Sequence, residues 1–248
     1  MAKRITKNMF LFSLCIVSLI MIILAINYWN QGSAAKPSNR TPIMIVNSKD
    51  NNHKPMKTVL NRDGAPEAIK VTIKKNNNFS IDHNHRINGS HPVILLDFQK
   101  NYSGNKSEMI VNIINYLHNK YHYQKFDSIG FDDNSINLFT AFTSHQIDSK
   151  VKLNRFISIA SDFKQINFNE SKNKFNKNVK VLNVYGKINK KVNSDGVVFN
   201  KNSQRLKYAV NNHDNYQEAK LKGKSASHQS IVKNPVLFRI VSRFIFDD

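Results

Sequence analysis

Residues 126–142, FDSIGFDDNSINLFTAF, place the strictest condition on how this chain can fold. The stretch reads as a short buried strand, a tight turn and an amphipathic helix. Ile129 closes the apolar strand, Gly130 opens the turn, and Ile136, Leu138, Phe139 and Phe142 load one side of the helix. A strand that breaks this sharply into a helix projects one side chain into the open above a helix N-terminus. Here that side chain is Asp132. The tip carries neither hydroxyl nor thiol, and Asn134 stands where such a turn favours glycine. The same residues also fit an ordinary strand–loop–helix in which Asp132 or Asp133 caps the helix.

Further apolar runs surround this stretch. Residues 42–46, 92–98, 153–160 and 179–185 read as continuous buried strands, and residues 67–74 alternate, with Ile69, Val71 and Ile73 on one face. Residues 57–60 start a helix. Residues 106–121 form an amphipathic one, with Met109, Ile110, Ile113, Ile114 and Leu117 at spacings of three and four. Residues 76–89 read as a polar surface excursion and residues 167–178 as a low-complexity surface piece, a shortened cap or lid. Residues 203–208 read as a helical turn, 216–222 as an edge strand and 235–246 as a helix. Buried strands alternating with helices predict an α/β domain whose mostly parallel sheet is covered by helices on both faces. Ligands of such sheets sit at the C-terminal ends of the strands, where Asp132, Asn47 and the residues after Tyr185 would gather.

The N-terminus carries a different signal. Residues 9–26, MFLFSLCIVSLIMIILAI, hold no charge; Lys3, Arg4 and Lys7 precede them, and Tyr28 and Trp29 follow. That pattern predicts a transmembrane anchor over residues 9–29, a cytoplasmic N-terminus over 1–8, a tether over 30–39 and a domain over 40–248 outside the cytoplasm. A signal sequence cleaved near Ser33-Ala34-Ala35 is the alternative, and it implies secretion. The expected location is therefore the cell membrane, single-pass, with membrane lipid as a partner through the helix. The formal net charge of +20 adds anionic lipid or a cell-wall polymer as candidate partners. An extracytoplasmic domain makes nucleic acid a poor partner whatever the charge. The single cysteine, Cys15, excludes an intrachain disulfide. His83, His85 and His91 lack a cysteine or carboxylate partner in sequence, so neither a metal nor a cofactor is expected.

From about residue 40 to the C-terminus, the chain resembles the alpha/beta hydrolase-fold family of predicted cell-surface hydrolases of Gram-positive bacteria. Where that family carries a nucleophile elbow reading GHSMGG, this chain has Gly130-Phe131-Asp132-Asp133-Asn134-Ser135. Ser194-Asp195-Gly196-Val197-Val198 matches the segment that bears the acid of the family's triad, and Ser227-His228-Gln229-Ser230 lies in the place of its catalytic histidine segment. The family's first strand ends in His-Gly before an oxyanion loop; here Val46 and Asn47 stand there. The resemblance implies an alpha/beta hydrolase fold, Asp132, Asp195 and His228 as an altered triad, and Asn47 with Asp133 around the oxyanion. The order elbow, Asp, His is the chain order of such hydrolases.

Taken singly, Asp195 also fits a turn-former before Gly196, and His228 a loop histidine. A carboxylate at the elbow tip has no proton for a histidine to accept, and Asp133 adds a second negative charge where an oxyanion must be stabilised. The expectation is a membrane-anchored, catalytically impaired hydrolase-like protein whose small-molecule substrate the sequence does not name. Two alternatives stand beside it. One is an active hydrolase in which Asp132 attacks an electrophilic carbon and His228 activates water against the resulting ester. The other is a basic cell-envelope binding protein.

Overall fold

The computed structural model describes residues 18, 21, 38–46, 54–82, 89–144, 146–171, 175 and 178–247. The folded unit runs Ser38–Asp248. Its strands are β1 (Ile43–Val46), β2 (Glu67–Ile73), β3 (Phe79–Asp82), β4 (Val93–Phe98), β5 (Lys125–Phe131), β6 (Lys152–Ile159), β7 (Lys180–Lys187) and β8 (Tyr216–Lys222). Among the described residues they form one sheet in the order β3-β2-β4-β1-β5-β6-β7-β8. Every neighbouring pair is parallel except β2 with β3. Four longer helices accompany the strands: α1 (Lys54–Arg62), α2 (Lys106–Tyr121), α3 (Asp133–Phe142) and α4 (Pro235–Phe246). This is the alpha/beta hydrolase-like architecture expected from the alternation of strands and helices.

The central strand explains the layering. All four residues of β1 are buried. Met44 and Val46 pack into a core with α2 and α3, whereas Ile43 and Ile45 pack into a second core with α1 and α4. A period-2 backbone thus delivers apolar side chains to both faces, and a strand buried on both faces must be apolar throughout. The helices are fixed at their ends. Asn105 caps α2 by accepting from the Glu108 N–H at 3.2 Å. Asn234 caps α4 by accepting from the Val236 N–H at 2.9 Å, with Pro235 in the first turn.

Two expectations need correction. Residues 76–89 are not only a surface excursion, because they contain β3, which pairs antiparallel with β2. Phe79 and Ile81 are partly buried against the core while Ser80 and Asp82 are exposed, a two-residue alternation that the surrounding Asn and His residues obscure.

The second correction concerns the membrane. Among the described residues no helix is long and apolar enough to cross a bilayer. The longest, α2, has 16 residues and carries Lys106, Glu108, Asn112, Asn115, His118 and Lys120 along its length. The expected transmembrane anchor over residues 9–29, the single-pass membrane location and the lipid contact through that helix therefore find no spanning helix. Residues 9–29 themselves lie outside the described residues except for Ser18 and Met21.

Phe139 of α3 stands at the centre of an aromatic cluster, with ring centroids 6.2 Å from Phe156, 6.1 Å from Phe163, 5.8 Å from Phe168 and 5.2 Å from Phe175. Removing that ring forfeits its buried area and leaves a cavity beneath the elbow helix. Phe139→Ala is expected to destabilise the fold by about 3–5 kcal/mol, read from urea unfolding. A loss below about 1 kcal/mol would mean that the cluster does not support α3.

Candidate active site

β5 ends at Phe131, α3 begins at Asp133, and Asp132 joins them with φ 54° and ψ −134°. A non-glycine residue in that region costs on the order of 1–3 kcal/mol and persists only where its surroundings impose it. Here they do. The Asp132 N–H donates to the Ile159 carbonyl of β6 at 3.0 Å, and the Ser135 N–H donates to the Asp132 carbonyl at 3.0 Å. Gly130 lets the helix close onto the strand: a Cβ at that position would stand 2.5 Å from Ser135 Cα. The Asp132 side chain makes no capping bond to α3, so the capping alternative does not describe it. Its carboxylate, 41% exposed, lies instead 3.6 Å from His228 Nε2, an ion-pair contact just beyond hydrogen-bond length.

His228 follows β8, and its backbone is tied to the loop after β7: its N–H donates to the Asp195 carbonyl at 3.0 Å. Its ring is joined to the same residue, with Nδ1 2.9 Å from Asp195 Oδ2. Asp195 is buried, and its other carboxylate oxygen accepts from the Val197 and Val198 N–H groups at 2.9 and 2.7 Å. Asp132, His228 and Asp195 therefore come together at the C-terminal edge of the sheet, from β5, β8 and β7 respectively.

Burial works against the charge on Asp195, yet the bonds from His228, Val198 and Val197 outweigh it and hold its carboxyl below the ordinary range. Burial likewise lowers the His228 pKa, but the Asp132 and Asp195 carboxylates on its two sides overcome that and push it up to about 9. At neutral pH the ring is an imidazolium held between two carboxylates. With Nδ1–H committed to Asp195, Nε2 is the atom that faces the elbow tip.

The remaining expected residues separate. Asp133 is exposed and opens α3, so its backbone N–H is the one that follows the elbow residue, where this fold places an oxyanion donor. Asn47 lies outside the described residues, as do His83 and His85. His91 sits far from the elbow in the chain's fold, contacting the Thr41 carbonyl at 3.2 Å and Asp127 at 3.7 Å near the N-terminal ends of the strands. Among the described residues no cluster is suited to a metal ion.

Sequence reasoning missed two supports of the site. The Phe131 ring lies 5.0 Å from the His228 ring and covers it. Gly186 lets the end of β7 approach both partners: a Cβ there would stand 1.9 Å from the Ala226 carbonyl oxygen and 2.9 Å from Asp195 Cβ. A glycine inside the apolar run of β7 was the available signal, since glycine in a strand marks a close backbone approach.

Comparisons with known proteins agree with this fold. No curated protein sequence matches the chain. A crystal structure of a Listeria innocua gene product superposes with a TM-score of 0.72 at 16% identity, covering 85% of this chain and 95% of that one. A second structure, described only provisionally as a cell surface hydrolase of Lactobacillus plantarum, superposes with a TM-score of 0.65 at 17% identity, covering 84% and 90%. These similarities show the fold. The expectation of a membrane-anchored, catalytically impaired protein is corrected here: no described helix spans a bilayer, and the matching family is described as one of alpha/beta hydrolases, which agrees better with the hydrolase alternative. The model that matches residues 31–175 and 166–248 describes an "alpha/beta hydrolase of unknown function (DUF915)", and the chain belongs to that family.

Proposed function

We propose that the protein is a hydrolase that works through a covalent ester on Asp132. The observation that carries this reading is the strained backbone of Asp132, which presents a carboxylate 3.6 Å from the Nε2 of a histidine whose other nitrogen is held by a buried aspartate. The substrate class is a small molecule with an electrophilic saturated carbon bearing a leaving group, such as an alkyl halide or an epoxide.

The chemistry follows from the charges. An Asp132 carboxylate oxygen attacks the carbon and forms a C–O bond. The C–X bond breaks, and its electron pair leaves as halide or as the alkoxide of the opened epoxide. The imidazolium of His228 stands where it can donate to that leaving oxygen. Esterification removes the charge on Asp132, and with it one of the two carboxylates that keep the His228 pKa high. Burial, the opposing cause, remains. On the epoxide route the ring has already passed its proton to the alkoxide; on the halide route the imidazolium, no longer facing a carboxylate at Asp132, releases its proton to solvent. The neutral Nε2 then accepts a proton from the water that attacks the carbonyl carbon of the Asp132 ester. The tetrahedral intermediate expels the alcohol and restores the carboxylate. Asp195 fixes the tautomer throughout and stabilises the imidazolium.

The experiment is trapping. His228→Ala in the full chain, incubated with 1-bromohexane or styrene oxide, is expected to accumulate a stable adduct on the peptide containing Asp132. The wild type should turn over, and the Asp132→Asn, His228→Ala double variant should remain unmodified. Loss of His228 is expected to lower steady-state turnover by about 10²- to 10⁴-fold. Turnover of these substrates that does not depend on Asp132, or an adduct on another residue, would contradict the reading.

The same coupling has a pH signature. The folded pKa of His228 lies above its ordinary 6.5, at about 9. The charged ring therefore stabilises the fold fully below pH 6.5, and this contribution is lost as pH rises through 9. Its size is about 3 kcal/mol. The wild type should lose that increment between these limits, whereas His228→Gln should not. In NMR titration the His228 ring should titrate near 9 and move down in Asp132→Asn. An unshifted titration in that variant would mean that Asp132 does not hold the proton on the ring.

A further inference from the structure

Beyond the elbow, the C-terminal edge of the sheet carries a second feature that the proposed reaction does not use. The loop bearing Asp195 closes through a bridge between Ser194 and Phe199, and the chain then continues into turns over residues 200–209. Phe199 and Tyr208 leave 52% and 54% of their surface exposed there. Between them runs a groove of about 610 Å³ whose lining also includes Lys164, Lys201, Arg205 and Lys207 and contains no carboxylate.

The cations stand against rings. Lys201 Nζ lies 5.8 Å from the centroid of Phe199, and Lys207 Nζ lies 5.2 Å from that of Tyr208. Arg205 is held in place by its Nε–H, which donates to the Phe163 carbonyl at 3.2 Å, and its guanidinium lies 5.9 Å from the Phe168 ring. The nearby Asp162 has both carboxylate oxygens occupied by groove residues, accepting from Asn202 Nδ2 at 3.0 Å and from the Lys164 N–H at 2.8 Å. Glu218, which interacts with Lys207, is bound by Tyr185, Tyr216 and Gln204.

Four like charges in one groove repel one another, and two rings that remain about half exposed forgo burial. A ligand that relieves both conditions carries an anionic group on a ring: the anion meets the ammonium and guanidinium groups while the ring body covers Phe199 and Tyr208. A surface that merely kept the protein soluble would need neither the rings nor the exclusion of carboxylates. We propose that this groove is a binding site for a ring-bearing phosphate or carboxylate, separate from the bond-breaking groups at Asp132. Occupancy of the groove requires no turnover, so it is measured independently of the hydrolase reading.

The test is calorimetric titration of the full chain at low salt with phenyl phosphate, inorganic phosphate and phenol as probes. Phenyl phosphate is expected to bind at least tenfold more tightly than either of the others, and to weaken as salt is raised. Lys201→Ala with Lys207→Ala should weaken it at least tenfold, and Phe199→Ala at least threefold. Lys74→Ala with Lys75→Ala, which removes the same charge from exposed residues elsewhere, should leave binding unchanged. Circular dichroism establishes that each variant is folded. Inorganic phosphate binding as tightly as phenyl phosphate overturns the role of the rings. Undiminished binding in the groove double variant, an equal loss in the Lys74/Lys75 control, or no binding of phenyl phosphate overturns the site.

Discussion

The site depends on one strained residue. Asp132 holds a backbone conformation that a side chain-bearing residue avoids, and three separate parts of the fold impose it. β6 takes its N–H, α3 takes its carbonyl, and Gly130 leaves space for α3 to close onto β5. The aromatic cluster around Phe139 matters to the chemistry for the same reason. It seats α3 on the sheet, and α3 bears the turn that aims Asp132 at His228.

Charge coupling gives that geometry its chemical consequence. His228 is buried, which disfavours its charge, yet two carboxylates flank it and prevail. Only one of the two can be consumed. Asp195 is enclosed by Val197, Val198 and His228, while Asp132 is partly exposed and open to a reactant. In the proposed reaction, neutralising Asp132 would remove one of the two charges that hold the proton on the ring, without moving any group. A serine in its place would supply no charge to the resting ring, so substitution of the elbow residue changes the sequence of protonation states rather than only the identity of the nucleophile.

The fold was legible because β1, β4, β6 and β7 are short, mainly apolar runs, a pattern that a doubly covered sheet requires. β3 was not legible: two half-buried residues, Phe79 and Ile81, are too few to stand out among Asn and His. Gly130, Asp195-Gly196 and His228 could be identified through their order along the chain, since each residue alone is also a common loop former. The 2.9 Å bond between His228 and Asp195 could not be read, because it depends on the parallel pairing of β7 with β8, which brings together residues 33 positions apart. Gly186 was passed over because its constraint is the approach of Ala226, from a segment forty residues later in the chain. The apolar run over residues 9–26, with the basic residues before it and the aromatic pair after it, carried the membrane expectation; no described helix supports it, and the run lies outside the described residues except for Ser18 and Met21.

Whether Asp132 forms the bond to substrate is best settled by the fate of oxygen in a single turnover. If the carboxylate attacks carbon, the oxygen that leaves with the alcohol comes from Asp132, and the oxygen of the hydrolytic water enters the carboxylate. With protein in excess over styrene oxide in ¹⁸O-labelled water, the account predicts unlabelled diol and ¹⁸O in the peptide that contains Asp132. Labelled diol with an unlabelled peptide would mean that water attacks the substrate directly, and would contradict the account.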